Sequence, residues 1–427
     1  MIRKLQNKLR TLGKEGLFHI FGSGAFAKIG GLVSSVVVIR DLPKAAYGGF
    51  VDAHNLFSYL AAFVGLGMHN AVMQYCSEKI TDDKRNAIYG YSFRTGMLGN
   101  FLLTCVILAM AYWKRMAGQD TVALYLTAMC GLPFLTYLDH YLQIVLRVRL
   151  ENAQYARTNM IYVMTHVGGN IVMTLLWGVP GLIASLYLAH GAAAVRSAWV
   201  LGKQGLFRQI RTTPERLTRS NHREYLSYAL VYALTGFATS VLVLLDVTCL
   251  GLVLGDQTVL ADYKVAATIP SACAFIPSSL TIFFYPKLVR AFDESREAGR
   301  RQFNQLTKTY FLLNGAVTVG LLVAAPLIVW IVFGQKYMNV IDLFRILSIN
   351  YLAVAMRNLT SHTFAVLKKV KANLVFSIAS GLLNVTLNLA LIPKLGSQGA
   401  AYATLTVSCF ILMLNFVYLR KFLTGKQ

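Results

Sequence analysis

The sequence predicts an all-α, polytopic membrane protein with twelve transmembrane helices in two six-helix lobes around a central cavity. Three observations carry this expectation. Of 427 residues, 56% are hydrophobic and only 14% charged, where a soluble domain carries nearer ~25%. The apolar residues fall in runs of about 20, the length a helix needs to cross a hydrocarbon core of ~30 Å. The net charge is +23, and most of it sits in alternate short links between those runs, as the positive-inside rule requires. That distribution points to a lipid bilayer, not nucleic acid, as the partner of the positive charge.

The first span covers residues 17–39 and follows five basic residues, Arg3, Lys4, Lys8, Arg10 and Lys14. This run is too long for a signal peptide and no cleavage site follows, so it reads as a retained first helix. Lys28 sits at its centre. A charge at that depth costs at least ~3 kcal/mol on insertion scales, so it should face a bundle interior or a water-filled cavity. Helical spacing puts Gly24, Gly31 and Ser35 on its face and Phe26, Val33 and Val37 opposite. Two readings stay open: a cation that receives substrate, or one half of a structural ion pair.

The remaining spans are expected at 49–73, 87–112, 121–146, 158–177, 180–201, 228–254, 259–286, 309–334, 339–366, 372–393 and 397–419. The links at 74–86, 147–157, 202–227, 287–308 and 367–371, with both tails, hold most of the Lys and Arg. Both termini are therefore expected in the cytoplasm. The longest polar link, 202–227, divides the chain into an N-terminal lobe (1–201), a basic cytoplasmic connector and a C-terminal lobe (228–427). Six spans per lobe make the halves parallel repeats about an axis along the membrane normal. Asp41 with Tyr47 and Asp256 with Tyr263 form an internal echo at corresponding turns.

Six basic residues remain inside spans: Lys28, Arg94, Arg196, Lys264, Arg345 and Arg357. Arg196 lies near a span end and can snorkel. Arg94 and Arg357 lie in the cytoplasmic half of their spans. Asp246 and Lys264 each stand nine residues from Gly255, which puts them at one depth, roughly 13 Å from the turn, and an ion pair is expected. Asp342 and Arg345 are three apart on one helix and can pair. Asp52, Asp139 and Asp262 are the other acids in spans, and His54, His140 and His166 add neutral or switchable groups. Pro270, Pro277 and Pro286 should kink the eighth span, as Pro133 and Pro326 should the fourth and ninth. Asn170, Asn350, Asn384 and Asn388 read as helix–helix glue rather than ligands.

Motifs for chemistry are missing. There is no GxxxxGK[ST] loop, HExxH or GxSxG, and no paired carboxylates. The six cysteines fall singly, with no CxxC spacing, so no zinc site or disulfide framework is expected. The chain reads as a non-enzyme with no cofactor and no metal.

The run VVVIRDLPKAAYGGFVDAHNLFSYLAAFVGLGMHNAVMQYCSEK (36–79) resembles the opening signature of the polysaccharide transporter family. LLDVTCLGLVLGDQTVLADYKVA (244–266), FYPKL (284–288), LFRILSI (343–349) and LIPKLGSQGAAYAT (391–404) resemble it further. Gln74 departs from the pattern, at a position where a basic residue is common. The family belongs to the multidrug/oligosaccharidyl-lipid/polysaccharide exporter superfamily, which also holds the multidrug/toxic-compound extrusion (MATE) exporters. The resemblance implies a MATE-like flippase in the bacterial inner membrane. Its substrate would be an undecaprenyl-pyrophosphate-linked oligosaccharide, such as an O-antigen unit, moved from the cytoplasmic to the periplasmic leaflet by alternating access. A polysaccharide polymerase and a chain-length regulator are the implied protein partners. Lys28, Arg94 and Arg357 are then the substrate-binding candidates. Asp246, Lys264, Asp342, Arg345, Asp52 and Asp139 are the candidates for lumen ion pairs or ion coupling. The competing readings are a MATE-type exporter of cationic small molecules, which would need free interior carboxylates, and a membrane scaffold or enzyme of polysaccharide assembly.

Overall fold

The computed structural model describes residues 17–367 and 369–424, without the side chains of 17–27 and of a few residues elsewhere. The basic N-terminal residues, and the side chain of Phe26, lie outside what is described. Every regular element among the described residues is helical. The chain divides into two compact units, Met1–Val243 and Leu244–Gln427.

The first unit holds α1 (Leu17–Asp41), α2 (Lys44–Ala61), α3 (Met68–Cys76), α4 (Asp82–Met116), α5 (Asp120–Ala128), α6 (Leu132–Val148), α7 (Asn152–Lys203), the short α8 (Leu206–Thr212) and the start of α9 (Arg219–Val253). The second continues with α10 (Gln257–Ala272), α11 (Phe275–Glu294), α12 (Arg296–Val323), α13 (Ala325–Ile328), α14 (Ile341–Val366) and α15 (Val370–Thr424). The division falls inside α9. Packing ties the start of α9 to the first unit. Tyr225 and Tyr228 meet Tyr75 of α3 at ring-centroid distances of 4.6 and 5.5 Å. Gly67 approaches Ala229 so closely that a Cβ would lie 2.5 Å from its carbonyl oxygen.

Among the described residues, eight helices are long and apolar enough to cross a membrane, or nine if the two halves of α9 form one span. Two of the eight are double length. At about 1.5 Å per residue, a straight 52-residue α7 would run about 78 Å, more than twice the apolar core. It does not run straight. Gly178 has φ 61° and ψ −137°, a region closed to side-chain-bearing residues, and Ser185 then donates to Asn170 across the turn. The chain folds back into a hairpin whose arms are two of the expected spans. α15 does the same at Gly396 (φ 58°, ψ −135°), with Asn384 donating to Thr404 across it at 3.1 Å. In both hairpins a second glycine follows three residues later. A Cβ on Gly181 would lie 1.8 Å from the Met173 oxygen, and one on Gly399 2.4 Å from the Leu391 oxygen. The units therefore share a glycine-x-x-glycine hairpin, a firmer internal repeat than the Asp/Tyr echo.

Broken spans repeat too. α2 and α3 are separated at Gly65–Gly67, where Leu66 and both glycines have positive φ. The Asn100 amide oxygen accepts from the freed Gly65 N–H at 2.7 Å, the internal satisfaction that a bilayer demands. α10 and α11 break between Ala272 and Phe275, flanked by Pro270 and Pro277. Pro133 opens α6 and Pro326 opens α13. All four tryptophans, Trp113, Trp177, Trp199 and Trp330, lie near helix ends or the Gly178 turn and are more than half exposed. That is the placement of an interfacial aromatic belt. The second unit's core joins α11, α12, α14 and α15 through Leu288, Phe303, Tyr310, Met356, Phe364 and Leu419.

Candidate functional site

Each unit carries a polar network inside its helices. In the second unit Asp246 of α9 is the hub. Its Oδ2 accepts from the Tyr263 hydroxyl at 2.7 Å and the Thr404 hydroxyl at 2.6 Å, and its Oδ1 accepts from the Asn388 amide at 3.0 Å. The Asn388 amide also donates to Asn384 at 2.8 Å. One carboxylate thus ties α9 to α10 and to both arms of the α15 hairpin.

This corrects the expected Asp246–Lys264 ion pair. Lys264 is not among the partners of Asp246. Equal depth is met, but adjacent helical residues point about 100° apart, and the face of α10 turned toward Asp246 carries Tyr263. Lys264 is exposed and has no acid within ion-pair distance among the described residues. Asp342 and Arg345 do pair, at 3.3 Å, on an exposed face, where such a contact contributes little. The Asp262 carboxylate accepts from Asn339 at 2.6 Å.

In the first unit Asp52 of α2 holds Lys114 of α4 at 2.9 Å, with both side chains 4% exposed. Lys114 also donates to Gln119 at 2.7 Å. The two residues stand 62 apart in the chain, with no local pattern to connect them. Asp139 of α6 is 1% exposed. One of its oxygens accepts from Gln143 at 2.6 Å, and the other lies 3.0 Å from His190 Nδ1 on the return arm of α7. His140 and His69 follow, with ring centroids 5.9 Å from His190 to His140 and 5.7 Å from His140 to His69. On the other side Tyr162 stands between His190 (5.0 Å) and His166 (5.7 Å).

The candidate substrate cations sit differently from the acids. Lys28 is exposed on α1. A Cβ at neighbouring Gly31 would meet nothing within 4 Å, so the small face foreseen for Lys28 opens onto free space at that point. Arg94 lines a pocket of 320 Å³ walled by Tyr89, Phe93, Leu138, Tyr141 and Phe207, with Arg211 of α8 as its second cation. Arg357 is half-buried on α14. Among the described residues none of Lys28, Arg94, Lys264 and Arg357 has an acid within ion-pair distance. Arg196 donates to Gln154 at 3.1 Å and lies over Trp199, near a span end as expected of a snorkelling residue.

A protein-family model described as polysaccharide biosynthesis protein matches residues 14–286. No curated protein sequence matches the chain. Among solved structures, a multidrug resistance MATE family transporter of the MOP superfamily in an inward-facing conformation is similar, with TM-score 0.76, 16% identity and coverage of 93% of this chain and 95% of that one. An outward-facing MATE transporter of the same superfamily is similar with TM-score 0.58, 14% identity and coverage of 95% and 94%. A third is a MOP superfamily transporter from Pyrococcus furiosus, for which the reverse polarity of its binding pocket suggests a different function. It has TM-score 0.59, 15% identity and coverage of 96% and 93%. The fold is that of the MATE family transporters.

Proposed function

Because the chain belongs to the polysaccharide biosynthesis protein family, we propose that it is a flippase for undecaprenyl-pyrophosphate-linked oligosaccharide repeat units, such as O-antigen. It would carry them from the cytoplasmic to the periplasmic leaflet of the bacterial inner membrane by alternating access. One observation supports this substrate class most directly. Asp52, Asp139, Asp246 and Asp262 are each engaged by donors. Lys28, Arg94, Lys264 and Arg357 have no acid partner among the described residues. Such a balance suits an anionic cargo, since uncompensated cations lower the cost of taking a pyrophosphate out of water. An exporter of cationic compounds would want the reverse.

In this reading Lys28 receives the pyrophosphate, and Arg94 and Arg357 contact it at other stages of transfer. Both termini lie in the cytoplasm, and a polymerase and chain-length regulator act on the delivered units. The decisive experiment is deletion of the gene, followed by analysis of undecaprenyl-linked glycans. Accumulation of one repeat unit on the inner leaflet, with loss of the matching surface polysaccharide, is expected. Unchanged glycans with altered resistance to cationic compounds would overturn the proposal in favour of a small-molecule exporter.

A further inference from the structure

We propose that Asp139, His140 and His190 form a binding site for a divalent transition metal ion of the zinc class. The sequence argues against any metal site, because its His and Cys residues show no ligand spacing. The fold assembles one nonetheless. Asp139 and His140 lie at the middle of α6, and the return arm of α7 brings His190 to them. One ligand atom from each of the three lies within 4.8 Å of the others.

The distances suit the ion. In a tetrahedral zinc site with bonds of about 2.0 Å, ligand atoms stand about 3.3 Å apart. Asp139 Oδ2 and His190 Nδ1 are 3.0 Å apart, so an ion can take the place of the shared proton with little movement. The His140 ring, which is exposed, has the freedom to turn toward it. Asp139 is already oriented, since Gln143 donates to its other oxygen at 2.6 Å. Bracing of that kind is the usual support of a metal-binding carboxylate.

A second observation points to a ligand. His69 Nδ1 is sealed from the surface and has no hydrogen-bond partner, while its Nε2 lies 3.0 Å from the Asn70 amide. An orphaned imidazole nitrogen inside a protein is costly. Its ring lies beside that of His140, with centroids 5.7 Å apart, so it is a candidate for the open fourth position. Two or three imidazoles with one carboxylate favour zinc, cobalt, nickel or copper over sodium, magnesium or calcium, which take all-oxygen sites. A bound ion would clamp α6 to the return arm of α7 within the first unit.

The test uses the tag-free full-length chain purified in detergent. It is loaded with Co²⁺, desalted, and read by visible absorption and by elemental analysis, with Zn²⁺ as competitor. One equivalent per chain with tetrahedral cobalt bands, displaced by Zn²⁺, is expected. His140→Gln and His190→Ala should each weaken binding by about 10-fold or more, and Asp293→Asn, at an exposed position in the second unit, should leave it unchanged. The His140 ring is exposed, so its variant should stay monodisperse even if His190→Ala does not. A wild-type chain that retains no ion, or a folded His140→Gln that binds as tightly as wild type, would overturn the site. Neither readout depends on transport, so failure here leaves the flippase proposal standing.

Discussion

The Tyr263 hydroxyl donates to Asp246 Oδ2 at 2.7 Å, linking the two helices that flank the Gly255 turn. Lys264, one residue on, makes no such contact. Removing one donor from a partly buried carboxylate costs about 1.5–3 kcal/mol. Tyr263→Phe should therefore lower the melting temperature in detergent, and Lys264→Gln should leave it nearly unchanged. A double-mutant cycle should find coupling between positions 246 and 263 and additivity between 246 and 264. Coupling of Asp246 to Lys264 in place of Tyr263 would show that the α10 face is turned the other way.

The Asp52–Lys114 pair gives a sharper thermal signature. With both side chains 4% exposed, removal of one partner strands a charge, at a cost of about 3–5 kcal/mol, whereas removal of both can be nearly neutral. Asp52→Asn and Lys114→Met should each reduce thermal stability strongly. The double variant should recover most of the loss. A double variant as unstable as the sum of the singles would show that the pair is not closed in the membrane.

The hairpin glycines are a test of backbone geometry. Gly178→Ala and Gly396→Ala place a Cβ in a conformation that costs of order 1–3 kcal/mol. Gly181→Ala must also displace the Met173 carbonyl, since its Cβ would lie 1.8 Å from that oxygen. All three should lower the yield of folded protein. Gly31→Ala, where a Cβ meets nothing within 4 Å, should be tolerated in folding assays. Normal yield and melting temperature for Gly181→Ala would contradict the tight turn.

These cases show where sequence reasoning reaches and where it stops. Apolar runs and short links located both hairpin turns, at 178–179 and 394–396, because span length and glycine leave little choice there. Rotation about the helix axis was out of reach for Lys264, since a depth argument fixes height and not azimuth. Partners distant in sequence were also hidden. Asp52 and Lys114 stand 62 residues apart and Asp139 and His190 stand 51 apart, with no local pattern to connect them. The cluster of His69, His140 and His190 could have been suspected only by aligning spans 2, 4 and 6 at one depth. The unpaired cations were the most legible feature, because a charge in an apolar run stands out without any knowledge of its neighbours.

Lys28 provides the test of substrate handling. Its ammonium is exposed on α1 with no acid partner among the described residues, beside the unobstructed Gly31. Translocation requires binding that is favourable but not tight, and a single ammonium that imposes no fixed bidentate geometry suits a moving phosphate. Loss of a charge from mid-span makes the helix easier to insert, so Lys28→Ala should reach the membrane at normal levels. It should nevertheless abolish surface display of the polysaccharide. Lys28→Arg should keep partial activity by keeping the charge, and Lys28→Gln, which keeps polarity alone, should fail with the alanine. Display is measured against protein abundance in a deletion strain complemented with each variant. Full display by Lys28→Ala at wild-type abundance would remove Lys28 from the transport path and leave Arg94 and Arg357 as the cations to test next.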